Sequence, residues 1–163
     1  MDQLWAPWRL AYVSSAAPPT DGDPCFICRG LAASDDRAQL IAQRTAHSVV
    51  VLNRFPYNNG HLLVAPKAHK GDLQELDATE ILDVQLTLTR MVQVLDALMH
   101  PEGYNIGLNL GRAAGAGLPG HLHWHVVPRW SGDTNFMPVL GDVKVIAQAL
   151  DALYDALVNA LPK

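Results

Sequence analysis

The 163-residue chain lacks features that would assign it to several large classes of protein. It has no apolar run long enough to span a bilayer. Its first residues have neither the basic nor the apolar stretch of a secretory signal, so we expect no membrane association and a cytoplasmic location. It has no basic excess either, because 12 Lys and Arg face 16 Asp and Glu, a net charge of −4. Long nucleic acid, which is bound through Lys and Arg at phosphates, is therefore not an expected partner.

Cysteine is also scarce, and both cysteines, Cys25 and Cys28, occur in one C-x-x-C pair. In a cytosolic chain this spacing indicates a metal half-site or a redox pair before it indicates a structural disulfide.

Histidine, in contrast, is concentrated in one short stretch, where His121, His123 and His125 alternate with Leu122 and Trp124. Side chains alternate between the faces of a β-strand, so the three imidazoles would share one face, roughly 6.6 Å apart. Imidazole has an unperturbed pKa of about 6.5 and can act as nucleophile, acid or base near neutral pH. The row predicts phosphate chemistry or metal binding; a histidine-rich surface strand is the alternative.

The order of expected elements predicts one α+β domain over residues 1–163, with 1–24 as an N-terminal extension and connector. The expected elements are strands at 47–53 and 61–66 around an Asn-Gly turn, a helix from about 78 to 99, a strand near 104–110, a glycine-rich loop at 111–120, the histidine strand at 121–128 and a helix near 143–161. Because there is no regular βαβ alternation, we expect an antiparallel β-sheet with a long helix and a C-terminal helix.

These segments together resemble the histidine triad family of nucleotide hydrolases and transferases. The resemblance extends from about Cys25 to Asp133 and is carried by H-x-H-x-H at 121–125 with two apolar residues after it, N-R-x-P-x-x-x-G-H-L-L-V-x-P-K-x-H at 53–69, and N-x-G at 109–111. W-x-P-W-R near the start and G-D-T-N-F at 132–136 look like a bacterial branch of diadenosine polyphosphate phosphorylases or hydrolases.

The resemblance implies a role for each histidine. His123 would attack the α-phosphorus and form a nucleotidyl-imidazole intermediate, whose P–N bond is easily made and broken. Its other ring nitrogen must then be held as N–H by an acceptor such as a backbone carbonyl. His125 and His61 would bind phosphate oxygens, and either could protonate the leaving group. His121 would complete the triad.

Three further positions are implied to contact the nucleotide. Asn53 matches a residue that hydrogen-bonds ribose hydroxyls, although it could instead cap its turn. Asn109 matches a polar position at the phosphate. Backbone N–H groups of the loop 111–120, including Gly117, could cradle phosphate, although glycine richness also fits a flexible connector. Many family members carry Gln followed by Ser or Thr in this loop; here 114–120 contains none of them, so backbone N–H groups would have to substitute.

A structural zinc site is implied by four positions. Cys25, Cys28, His69 and His121 correspond to residues that hold zinc in some bacterial relatives, and a Cys₂His₂ set suits a closed tetrahedral site. The alternative is two reduced cysteines packed in the core. If His121 gives a nitrogen to zinc, its part in the triad becomes orienting rather than proton-carrying.

The implied function is cleavage of a dinucleoside polyphosphate, such as diadenosine tetraphosphate, at the α-phosphate. The ligand would be a purine mononucleotide or a dinucleoside polyphosphate. Phosphorolysis and hydrolysis both stay open, because they differ only in what attacks the intermediate. A nucleoside phosphoramidase and a nucleotide-binding module with little turnover are the alternatives. A homodimer is expected from the family and from the many apolar positions of the helix near 78–99.

Overall fold

The computed structural model describes residues 25–134, 141 and 145–161. The expected extension and connector at 1–24 lies outside the described residues, as do residues 135–136 of the G-D-T-N-F motif and the first two residues of the expected C-terminal helix. The assignment of the whole chain to one domain therefore stays a prediction.

The described chain forms one antiparallel sheet packed against helices. In chain order its elements are α1 (Phe26–Ala32), β1 (Ile41–Arg44), β2 (Ser48–Leu52), β3 (Leu62–Pro66), α2 (Ala78–Met99), β4 (Gly103–Leu108), β5 (Trp124–Arg129) and α3 (Leu150–Ala160), with single 3₁₀ turns at Leu73–Glu75 and Arg112–Ala114. The sheet order is β1-β2-β3-β5-β4, and each neighbouring pair is antiparallel. The predicted α+β class is confirmed.

Strands β2 and β3 form the centre of the sheet, and every residue in both is buried. Their apolar runs are continuous rather than alternating because both faces of the sheet are covered. The turn between them ends at Gly60, whose φ of +77° lies in the left-handed region that favours glycine. The hairpin therefore delivers His61 directly to the start of β3, next to β5.

Helix α2 has the predicted bounds. Asp77 accepts hydrogen bonds from the backbone N–H groups of Thr79 and Glu80, and the Glu80 side chain accepts from the Asp77 N–H, a complete capping box. The helix packs on the sheet through Val84, Leu88, Met91 and Leu95, which recur at helical spacing. No helix within the described ranges combines the length and the apolarity needed to cross a membrane.

The histidine strand is shorter than predicted. Its pairing with β3 ends at Trp124, opposite Val64, so only His125 of the three histidines lies within β5. The backbone N–H of Leu122 donates instead to the carbonyl of Lys70, 2.7 Å away. The stretch 121–123 is therefore held by the segment that follows β3 and not by the sheet ladder.

The C-terminal helix was predicted to begin near residue 143, and in the described part it begins at Leu150, because 145–149 are not helical. Its buried residues Leu153, Tyr154 and Leu157 belong to the core, and the helix packs on α2 and β1. Helix α1 and strand β1 were not predicted.

Candidate active site and metal centre

Three of the expected histidines lie together at the junction of β3 and β5. The ring centroids of His123 and His125 are 5.2 Å apart, and those of His61 and His125 are 5.1 Å apart. His61 reaches this place because it directly precedes β3, the neighbour of β5 in the sheet. His121 is close to His123 in the sequence, but its ring faces the thiols of Cys25 and Cys28 instead.

His123 has the tautomer that a nucleophile requires. Its ring is nearly buried, and its Nδ1 lies 2.8 Å from the backbone carbonyl oxygen of His121. A carbonyl oxygen can only accept a hydrogen bond, so Nδ1 carries the proton. In a neutral imidazole the lone pair is then on Nε2, which is the nitrogen that can act as a nucleophile or a base.

His61 and His125 are joined in a directed chain of hydrogen bonds. The backbone N–H of Tyr57 donates to Nδ1 of His61 over 2.9 Å. Nε2 of His61 must then carry the proton and donate to Nδ1 of His125, also 2.9 Å away. The remaining N–H is on Nε2 of His125. The Tyr57 ring covers the pair, stacking on His125 at 5.5 Å and 19°.

The electrostatic state of His125 follows from its surroundings. Burial, and secondarily the adjacent His123, lower the pKa of His125 to about 4. His125 is therefore neutral at pH 7 and can offer a hydrogen bond from Nε2 without adding a positive charge. His61 is 1% exposed with both nitrogens engaged, which places it behind His125. Its expected direct contact with phosphate stays a prediction; the geometry favours an orienting role.

Asn53 is engaged in the hairpin itself. Its Oδ1 accepts from the backbone N–H of Phe55 at 2.9 Å, and its Nδ2 lies 3.3 Å from Nδ1 of His61. The turn-capping role that the sequence left open is thus present. A ribose contact, if it forms, is made by a residue already fixed in place by this turn.

The other two expected nucleotide contacts lie in the connection from β4 to His121. Asn109 directly follows β4 and is half-buried, and Gly117 is exposed. Gly111 and Gly115 have φ values of +72° and +89°, which permit backbone turns that side chains would oppose. The loop is open on the side of Gly117, where an added Cβ would meet no atom within 4 Å.

Sequence reasoning missed the contribution of Tyr57, which fixes the tautomer of His61 through its backbone and covers two histidines with its ring. An aromatic residue directly after Pro56 in a polar turn was the available signal.

The turn is also tied to the end of β5. Asn58 Nδ2 donates to Asp133 Oδ2 at 2.7 Å, and Arg129 forms a two-pronged ion pair with Asp133. Arg129 holds the pKa of Asp133 well below its usual range. A cavity of about 290 Å³ adjoins this network and Tyr57.

The four expected metal ligands converge. The ligand atoms of Cys25, Cys28, His69 and His121 lie within 4.8 Å of one another. The shortest separations are 3.2 Å from Cys25 Sγ to His121 Nδ1 and 3.2 Å from Cys28 Sγ to His69 Nδ1. Ligand atoms around a tetrahedral zinc ion stand roughly 3.3–3.8 Å apart. The set could therefore bind a metal ion after small adjustments.

The chemistry of the donor set agrees with a cation. Burial, and then the neighbouring Cys25, raise the pKa of Cys28 to about 11, so a thiolate at Cys28 is disfavoured unless a positive charge is near. Both ring nitrogens of His121 are committed, since Nδ1 faces the thiols and Nε2 lies 2.8 Å from the carbonyl of Pro66. His121 is fully buried. Both of its ring nitrogens therefore face partners within the protein.

Comparisons with known proteins found relatives of this chain in sequence and in fold. A sequence model described as the HIT domain matches residues 36–132. A protein of Mycobacterium tuberculosis named AP-4-A phosphorylase is 36% identical over 154 residues, 92% of this chain and 79% of that protein. A histidine triad nucleotide-binding protein of Sulfolobus tokodaii superposes with a TM-score of 0.66 at 21% identity, over 83% of this chain and 91% of that one. A zinc-bound histidine triad family protein of Mycobacterium smegmatis superposes with a TM-score of 0.60 at 23% identity, over 94% of this chain and 91% of that one.

Proposed function

Because the chain belongs to the HIT domain family, we propose that it is a nucleotide hydrolase or transferase that cleaves dinucleoside polyphosphates, such as diadenosine tetraphosphate, at the α-phosphate. The observation that carries the proposal is His123, whose Nδ1–H is held by a backbone carbonyl and whose Nε2 is thereby left as the nucleophile. The name of the M. tuberculosis relative supports the substrate class.

The proposed first step is an in-line displacement at the α-phosphorus. Nε2 of His123 forms a P–N bond as the P–O bond to the departing ATP breaks, leaving adenylate on the imidazole. The Nε2–H of His125 donates a hydrogen bond to an oxygen of the reacting phosphate and stabilises the charge that develops there. His61 keeps His125 in the donor tautomer, and Tyr57 keeps His61 in its own.

The second step returns the enzyme to its starting state. An oxygen of orthophosphate or of water attacks the adenylate and forms a new P–O bond, the P–N bond breaks, and the lone pair returns to Nε2 of His123. Attack by water also releases one proton to the solvent. Orthophosphate gives ADP and water gives AMP, with ATP as the other product in both cases. The M. tuberculosis relative favours orthophosphate as the acceptor.

Product analysis with diadenosine tetraphosphate, with and without orthophosphate, tests the proposal. ADP and ATP formed only with orthophosphate indicate phosphorolysis, and AMP and ATP formed without it indicate hydrolysis. His123→Gln should abolish turnover and leave AMP binding within about twofold, whereas His100→Asn, an exposed histidine at the end of α2, should change neither. Turnover that survives His123→Gln would contradict the mechanism. If neither product pair forms, cleavage of a nucleoside phosphoramidate tests the alternative.

We also propose that the Cys25, Cys28, His69 and His121 set holds a structural zinc ion. The ion would supply positive charge that stabilises both thiolates, and it would join α1 to the segments after β3 and before β5. Elemental analysis should find about one zinc ion per chain, and Cys25→Ser or Cys28→Ser should remove it. Zinc that is retained by both variants would contradict this ligand set.

A second copy of the chain is the proposed partner for the outer face of α2 and the edge strand β4. The large apolar side chains there are more than 45% exposed: Ile81, Leu82, Leu86 and Ile106. A groove of about 430 Å³ lies between α2 and β4 beside them. Light scattering should report a dimer for the wild type and for Val158→Lys, an exposed position on α3, but a monomer for Ile106→Lys. If Ile106→Lys is also a dimer, the two copies do not contact each other through this face.

A further inference from the structure

His121 makes one contact with the metal ligands and another with the proposed nucleophile. Its side-chain Nδ1 lies 3.2 Å and 3.5 Å from the Sγ atoms of Cys25 and Cys28. Its backbone carbonyl accepts the Nδ1–H of His123 at 2.8 Å. A single residue therefore joins the two sites, and a displacement of its ring is passed to the acceptor that sets the tautomer of His123.

The backbone around His121 is not fixed by the sheet, since pairing with β3 ends at Trp124. Besides the hydrogen bond from the His121 N–H to the Leu118 carbonyl at 3.4 Å, three contacts with more distant segments hold it. The Leu122 N–H donates to the Lys70 carbonyl, the His121 Nε2–H donates to the Pro66 carbonyl, and the His121 ring faces the two thiols. Both carbonyls belong to the end of β3 or to the turn that carries His69. The cysteines and His69 thus add to the contacts that hold the backbone of residues 121–123 in place.

His69 itself does not approach the proposed reaction. It is exposed, its Nδ1 lies 3.2 Å from Cys28 Sγ, and its ring meets the His121 ring edge-on at 5.0 Å. Any influence of His69 on His123 must therefore act through the ligand set and His121.

We propose that Cys25, Cys28 and His69 are positioning residues for the nucleophile. By holding the His121 ring, they keep the His121 carbonyl on Nδ1–H of His123, and so they select the tautomer in which Nε2 can react. The assignment of His123 as nucleophile rests on the proposed function, but the link between the ligand set and the tautomer of His123 does not.

The test compares His69→Asn with the matched control His100→Asn in the full chain. Nitrogen-15 NMR of histidine-labelled protein reads the protonated ring nitrogen of His123, identified by its loss in His123→Gln. Zinc-loaded wild type and His100→Asn should show a single Nδ1–H tautomer. His69→Asn, and wild type stripped with a chelator, should show a mixture with Nε2–H, and zinc added back should restore the single form in wild type only.

Steady-state kinetics provide the second readout. Misplacing a reacting group by about 1 Å can cost about 100-fold, so kcat for diadenosine tetraphosphate should fall about 10- to 100-fold in His69→Asn, with KM within about twofold. A ligand set that only stabilised the fold would lower the melting temperature and leave the tautomer and the kcat of the folded protein unchanged, and that result would overturn the inference. Cys28→Ser repeats the test if His69→Asn does not fold.

The two readouts separate this inference from the proposed function. A tautomer that shifts in a protein without activity on diadenosine tetraphosphate would support the link and count against the substrate. An unchanged tautomer in a metal-free, active protein would remove the link and leave the proposed function intact.

Discussion

Acidification should destabilise the protein through His125, because this residue is held neutral in the fold. Its Nδ1 accepts the hydrogen bond from Nε2–H of His61 at 2.9 Å, so a second proton on His125 would set two N–H groups against each other. Burial, and then His123, lower its pKa to about 4 from the ordinary value of 6.5. Replacing His125 with Gln keeps an acceptor for His61 and removes the titration.

The sign and size of the effect follow from the two pKa values. Between pH 6.5 and pH 4 the unfolded chain binds a proton at this position and the native protein does not, so stability is lost as the pH falls through that window. With those pKa values alone the free energy of unfolding would drop by about 2 kcal/mol between pH 7 and pH 5. His125 is partly exposed, so solvent screening reduces the expected drop to about 1 kcal/mol.

Urea denaturation at pH 7, 6 and 5 measures this contribution. The wild type should lose about 1 kcal/mol more than His125→Gln between pH 7 and pH 5, because the variant lacks this titration. His100→Gln serves as the control for removing one histidine. Equal losses in the wild type and His125→Gln, within about 0.5 kcal/mol, would refute the neutral state of the half-buried His125 acceptor.

Other positions give shorter tests. Leu95→Ala empties a fully buried site on α2 and should cost about 2–5 kcal/mol in urea denaturation; a cost below 1 kcal/mol would deny the packing. Gly60→Ala puts a Cβ 2.8 Å from the Met99 Sδ at a φ of +77°. It should lower the free energy of unfolding by about 1–3 kcal/mol in thermal denaturation, and an unchanged stability would contradict this turn geometry. Asn53→Ala removes the acceptor of the Phe55 N–H and should cost about 1 kcal/mol in urea denaturation. If calorimetry then shows unchanged AMP binding in this variant, Asn53 serves the turn and not the ribose.

The parts of the fold that the sequence predicted are those specified by neighbours in the chain. The capping box at Asp77 and the apolar spacing after it define α2 within one segment. Likewise the Asn-Gly pair before His61 is sufficient to join β2 and β3. The grouping of His61, His123 and His125 follows from the adjacency of β3 and β5, which the resemblance to known proteins implied and periodicity alone did not.

The missed features depend on contacts between distant segments. Strand β1 has four residues and a register shift, too short a pattern to recognise alone. The histidine strand was extended back to 121 because H-x-H-x-H fits a two-residue period. In the structure the Lys70 and Pro66 carbonyls hold 121–123 outside the sheet. The local pattern favours a strand at 121–123, and hydrogen bonds to a distant segment oppose it. Which of the two prevails cannot be read from the local sequence, because it depends on the folded positions of both segments.

The four histidines show how one side chain acquires different roles from its acceptors and donors. A carbonyl at Nδ1 leaves His123 with a reactive Nε2. A backbone N–H at Nδ1 of His61 has the opposite effect: it forces the proton to Nε2 and hence makes His125 a donor. His121 is engaged at both nitrogens. The sequence pattern treats these residues as equivalent, and what distinguishes them is the polar group that each meets. That group belongs to the backbone at His61, His121 and His123, and it is the His61 ring at His125. A substitution that moves one of those backbone groups should therefore change the chemistry without altering any of the four imidazoles.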